Sequence, residues 1–114
     1  MAGAGARPFV NKKIEQRKVM LFSKTYVPEC KAVKAVLEDY HMSLEDYEAT
    51  EIEARQDVNQ IENYFQILCL TDSRAVPQLF VDGKYVGGYE KILRMHASGE
   101  LREILQRAGV PIAR

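Results

Sequence analysis

Val19-Met20-Leu21-Phe22 limits this chain more than any other stretch. A continuous apolar run suits a strand buried on both faces, as in a parallel sheet. Such a strand needs a covering layer above and below, and the residues that follow supply one. Pro28 can open a helix, and Val33, Val36, Leu37 and Tyr40 recur at helical spacing to about Asp39 or Tyr40. A second strand is read near Tyr47–Glu51. Because a helix joins the two strands, they are parallel with a right-handed crossover.

The remaining pattern completes an α/β layer structure. Val58, Ile61, Phe65 and Leu68 mark a second long helix from about Arg55 to Cys69. Gln78-Leu79-Phe80-Val81 reads as a strand, and Asp82-Gly83 is a strong two-residue hairpin signal that returns the chain through Lys84-Tyr85-Val86. Gly87-Gly88 then opens a helix with Ile92, Leu93 and Met95 inside, interrupted at Gly99. A last helix carries Leu101, Ile104 and Leu105 and stops at Gly109 and Pro111. Ahead of all this, Pro8 suits the first turn of a short surface helix carrying Phe9, Val10 and Ile14. The expectation is a four-stranded mixed sheet with helices on both faces and a short N-terminal helix. Residues 1–7 are read as a flexible segment and residues 8–114 as a single domain, the size one modest core supports.

Composition excludes several classes of function. Sixteen basic and sixteen acidic side chains cancel, so no global field points to nucleic acid or a membrane surface. Apolar runs of about four residues are too short to span a bilayer. Two cysteines, Cys30 and Cys69, are too few for a disulfide scaffold and fit a reducing compartment, with the cytoplasm as the default. An organelle-targeting segment is the minor alternative, since the first eighteen residues hold five basic side chains against one acid. His41 and His96 have no partners at ligand spacing, so no metal site is expected.

Three motifs, in register with these elements, resemble the glutaredoxin family of the thioredoxin fold. Phe22-Ser23-Lys24-Thr25-Tyr26-Val27-Pro28-Glu29-Cys30-Lys31 is similar to its CPYC-type active-site loop. Arg74-Ala75-Val76-Pro77 is close to its R-T-V-P, and Asp82 to Glu90, DGKYVGGYE, to its N-G-K-x-I-G-G-C-D. The likeness runs from about Val19 to Gly109. It implies reduction of protein disulfides and glutathionylated proteins with glutathione as co-substrate, in a monomer. Carried over residue by residue, Lys24, Gln66 and Arg74 would hold the glycine carboxylate of glutathione. Val76 would pair its backbone with the cysteinyl unit, Pro77 would be cis, and Gly88, Tyr89 and Glu90 would receive the γ-glutamyl end. Tyr26, Tyr85 and Tyr89 could line the groove or simply pack around the hairpin.

The first motif departs from the family at its most important position. Val27 occupies the place of the nucleophilic cysteine, and Cys30 that of the resolving one. A thiolate at a helix start is stabilised by unpaired N–H groups and the positive dipole end; valine offers no nucleophile. Cys30 is the remaining candidate catalyst, either mostly buried and weakly reactive or a slow substitute nucleophile. A glutathione-ligated iron–sulfur cluster, known in some relatives, requires the first cysteine, so none is expected here. The resemblance therefore supports an oxidoreductase of diminished or lost activity, with a non-catalytic glutathione- or partner-binding module as the rival. A glutathione transferase N-terminal domain ranks last.

Overall fold

The structure is a computed structural model that describes residues 5–68 and 76–112. Its elements are α1 (Ala6–Gln16), β1 (Val19–Ser23), α2 (Pro28–Glu38), β2 (Tyr47–Glu51), α3 (Val58–Leu68), β3 (Gln78–Val81), β4 (Lys84–Gly87), α4 (Tyr89–Ser98) and α5 (Glu100–Arg107). The four strands form one sheet in the order β2-β1-β3-β4. β1 runs parallel to β2 and antiparallel to β3, which is antiparallel to β4. This is the mixed sheet of a thioredoxin fold.

β1 is buried at all five residues, and its side chains divide between two cores. Met20 and Phe22 point into one, with Val10 and Ile14 of α1, Ile61 and Phe65 of α3, and Phe80 of β3. Val19 and Leu21 point into the other, with Val33 and Leu37 of α2, Ile92 and Met95 of α4, and Leu101 and Leu105 of α5. A period-two strand between two helical layers produces this partition directly. In the first core the Phe22 ring stands 5.3 Å from Phe65 and 5.8 Å from Phe80 by centroids, tilted and edge-on.

The hairpin between β3 and β4 turns at Asp82 and Gly83, with φ of 53° and 79°. Positive φ at both central residues is what a two-residue primed turn demands. Gly99, at φ 88°, closes α4 and opens α5. Lys18 Nζ, at the start of β1, donates to the Ala108 carbonyl just past α5 at 2.6 Å.

Two helix starts differ from the sequence expectation. α1 begins at Ala6 rather than Pro8: the Gly5 carbonyl accepts from the Phe9 N–H at 3.1 Å, and Ala6 is buried in the core shared with α3. α3 begins at Val58 rather than Arg55. The Arg55 N–H instead donates to the Ile52 carbonyl, in a turn after β2. Its guanidinium forks onto Asp57 at 2.8 and 3.0 Å and lies 3.7 Å from the Phe9 ring centroid, tying the α1 and α3 entrances together. The expected end of α3 at Cys69 lies outside the described residues. Among the described residues no helix is long and apolar enough to cross a membrane.

Phe22 joins the strand, helix and hairpin contributions to one core. Phe22→Ala is expected to lower unfolding stability by about 3–5 kcal/mol, read from the denaturant midpoint. A loss below about 1 kcal/mol would show that this ring cluster does not carry the fold.

Candidate functional site

Strand directions bring three separate segments to one end of the sheet. Because β3 is antiparallel to β1, its first residue Gln78 lies beside Phe22, so the Val76–Pro77 bond meets the loop that leaves β1. β4 ends with Gly87 opposite Leu79, which delivers the N-terminus of α4 to the same edge. Between them is a cleft of about 570 Å³. The Val76–Pro77 peptide is cis, as the family resemblance implied. Gly88 comes so close that a Cβ there would lie 3.3 Å from the Pro77 carbonyl oxygen. A side chain at that position would crowd the floor of the cleft.

The loop leaving β1 is pinned from below. Glu53 accepts from the Thr25 N–H at 3.0 Å and from the Thr25 hydroxyl, and these bonds hold its carboxyl below the usual range. Val27 then takes extended dihedrals, φ −88° and ψ 120°, as the N-cap of α2, with no side-chain capping bond. Its carbonyl accepts from the N–H groups of Cys30 at 3.0 Å and Lys31 at 3.1 Å. Val27 is half-buried in the cleft wall and also touches the Phe22 core. An isopropyl group thus stands where the helix start offers its N–H groups.

Cys30 lies one turn into α2 and points inward, with no exposed surface. Its Sγ accepts from the Lys24 N–H at 3.5 Å. Burial pushes the thiol above its ordinary value and Glu51 adds to the rise; the Lys24 hydrogen bond and the Lys34 ammonium pull the other way without winning. Lys34 itself is paired with Glu51 at 2.8 Å, and Glu51 also accepts from Ser23 Oγ. The inward position of Cys30 settles its placement: the thiol belongs to the core.

In the same loop Lys24 Nζ meets Glu62 Oε2 of α3 at 2.7 Å, with side chains only 16% and 13% exposed. The Glu62 hydrogen bond raises the Lys24 pKa, against the pull of burial. A raised lysine pKa adds stability that is fully present below the unfolded value near ~10.4 and is lost as pH rises through the folded value. The pair therefore holds across the neutral range.

A model of the glutaredoxin family matches residues 19–86, which include the cleft's loop, the Val76–Pro77 bond and the hairpin. The chain belongs to the glutaredoxin family. An uncharacterised monothiol glutaredoxin of Caenorhabditis elegans is 40% identical over 92 residues, covering 80% of this chain and 60% of that protein. The chain thus spans less than two thirds of the nematode relative. Glutaredoxin-1 of Sus scrofa is 36% identical over 104 residues, 91% of this chain and 96% of the pig protein. A buckwheat glutaredoxin–glutathione complex superimposes with a TM-score of 0.81 at 27% identity, covering 98% of this chain and 96% of the other.

Of the family positions carried over from the sequence, Lys24, Val76, Pro77, Gly88, Tyr89 and Glu90 all line the cleft of this glutaredoxin. Arg74 and Cys69 lie outside the described residues. Tyr26 is 64% exposed beside the mouth, whereas Tyr85 and Tyr89 form part of the wall. On α3, Glu62 stands against Lys24, and Gln66, the position carried over from the family, lies one helical turn further along. Glu62 and Gln66 are four residues apart and share one face of α3, each following a core residue, so helical phase alone does not choose between them. Gln78 and Lys91 also line the cleft and carried no motif signal. Among the described residues no cluster of three His, Cys, Asp or Glu is placed to hold a metal ion.

Alkylation of Cys30 in a Cys69→Ser background should be slow at pH 7, with a midpoint above the ~8.5 of a free thiol. The raised value also means that the folded state favours the neutral thiol. That contribution is complete below the unfolded pKa and fades as pH climbs through the folded one. A midpoint well under 7 would contradict the inward, desolvated placement.

Proposed function

We propose that this glutaredoxin binds glutathione in its cleft and that its thiol–disulfide exchange is lost or strongly diminished. The observation that carries the reading is the division of labour along one helical turn: Val27 at the mouth, Cys30 in the core. Exchange requires a thiolate in line with the incoming disulfide sulfur. Cys30 is buried, and burial keeps it protonated. Several features support binding. The α4 N-terminus after Gly88 offers N–H groups to the γ-glutamyl carboxylate, and Glu90 can meet its ammonium. Val76 and Lys24 both line the cleft, where the Val76 backbone would pair with the cysteinyl unit and Lys24 would meet the glycine end. The buckwheat relative forms a complex with glutathione in the same fold. Non-covalent holding of a ligand, rather than turnover, is what these residues provide as they stand.

Restoring the thiol tests both halves. In Val27→Cys, the new thiolate would attack the glutathionyl sulfur of a mixed disulfide, releasing the partner thiol. A second glutathione thiolate would then release oxidised glutathione and regenerate the enzyme. The variant is expected to exceed the unmodified chain by more than about a hundredfold in glutathione-coupled reduction of a small mixed disulfide. Turnover by the unmodified chain that disappears in Cys30→Ser would instead make the buried thiol the catalyst and overturn the reading. Separately, reduced glutathione at millimolar concentration should shift the amide resonances of Lys24, Val76 and Gly88. Unchanged resonances there would remove the binding half.

A further inference from the structure

Val27 sets the character of the cleft where the sulfur of a bound tripeptide would lie. It lines the cleft together with Val76, and both pack on the Phe22 core. On the proposed reading the Val76 backbone pairs with the cysteinyl unit, which would bring its sulfur to the isopropyl group. Three successive residues make this point apolar. Tyr26 is 64% exposed, Val27 is half-buried and Pro28 is exposed, all at the entrance to α2. Glu29 follows on the same turn and is exposed to water. A free thiol gains little from such a mouth, because it is only a weak donor and valine accepts no hydrogen bond. An apolar group carried on that sulfur gains contact instead. Each methylene taken out of water there strengthens binding by about fourfold.

We infer that the cleft selects S-conjugates of glutathione, with an alkyl or aryl group on the sulfur, over free glutathione, and that Val27 determines this preference. The inference rests on the proposed glutathione reading and deepens it by naming the class of ligand. A thioether also suits a site without a nucleophile at its mouth. Exchange proceeds by attack of a thiolate on a disulfide sulfur, and a thioether offers none. The conjugate is held and released unchanged.

The test titrates reduced glutathione, S-hexylglutathione and S-hexylcysteine into the unmodified protein and into Val27→Ser, following the Val76 and Gly88 amide resonances. Serine keeps a good N-cap at the start of α2 while removing the isopropyl group. The unmodified protein should bind S-hexylglutathione at least roughly tenfold more tightly than reduced glutathione. It should also bind S-hexylglutathione more tightly than S-hexylcysteine, which lacks the γ-glutamyl and glycine units. Val27→Ser should shrink the first ratio by about threefold or more. If the unmodified protein binds reduced glutathione at least as tightly as the thioether, the inference falls and the glutathione reading stands. A ratio that survives Val27→Ser, with the thermal midpoint confirming a folded variant, also overturns it. Equal binding of S-hexylcysteine would mark simple apolar adsorption and overturn it too. If neither tripeptide moves those resonances in either protein, the glutathione reading fails and this inference fails with it.

Discussion

β1 is enclosed on both sides, and the placement of everything else follows from that enclosure. Five consecutive residues without solvent cannot rest on a single helical layer, so α1 and α3 cover one face while α2, α4 and α5 cover the other. The parallel pairing with β2 needs a crossover long enough to hold a helix, and α2 fills it. The antiparallel pairing with β3 then turns the sheet edge back on itself. The C-terminal end of β1, the N-terminal end of β3 and the C-terminal end of β4 meet at one rim. The cleft is a product of strand direction before it is a product of any side chain.

At that rim two short-range facts decide the chemistry. α2 begins at Val27, so the electropositive helix start faces the cleft behind an apolar side chain, and the sulfur one turn later lies inside. In the same loop the Lys24 ammonium is paired with Glu62 of α3. Neither fact disturbs the fold. Val27 keeps the dihedrals of an N-cap, and its carbonyl still starts the helix. The backbone of the cleft's loop is therefore kept with valine at the start of α2.

The strands and their order were legible because local signals and the global arrangement agree. Val19-Met20-Leu21-Phe22 announces a doubly covered strand, and Asp82-Gly83 dictates an antiparallel return. The bounds of β2 at Tyr47 and Glu51 emerged even from a mostly polar stretch. Helix starts were less legible, because the α1 and α3 entrances are tied by Arg55, which forks locally onto Asp57 and stacks on the distant Phe9 ring. Glu62 was missed for a related reason. Its partner is thirty-eight positions away, and periodicity places a residue on a helix face without naming what stands opposite. Val27 was legible as a departure, and Cys30 as the remaining thiol. That Cys30 is fully enclosed required the packed core.

The apolar mouth formed by Val27 also changes what occupancy can report. A cleft with a nucleophile there is marked covalently by its ligand, and its state follows the balance of oxidised and reduced thiols. A cleft closed by an isopropyl group exchanges its contents without making or breaking a bond. Its filling then follows only the amount of ligand present relative to the dissociation constant. On the proposed non-catalytic reading, such a protein would gauge the abundance of its ligand.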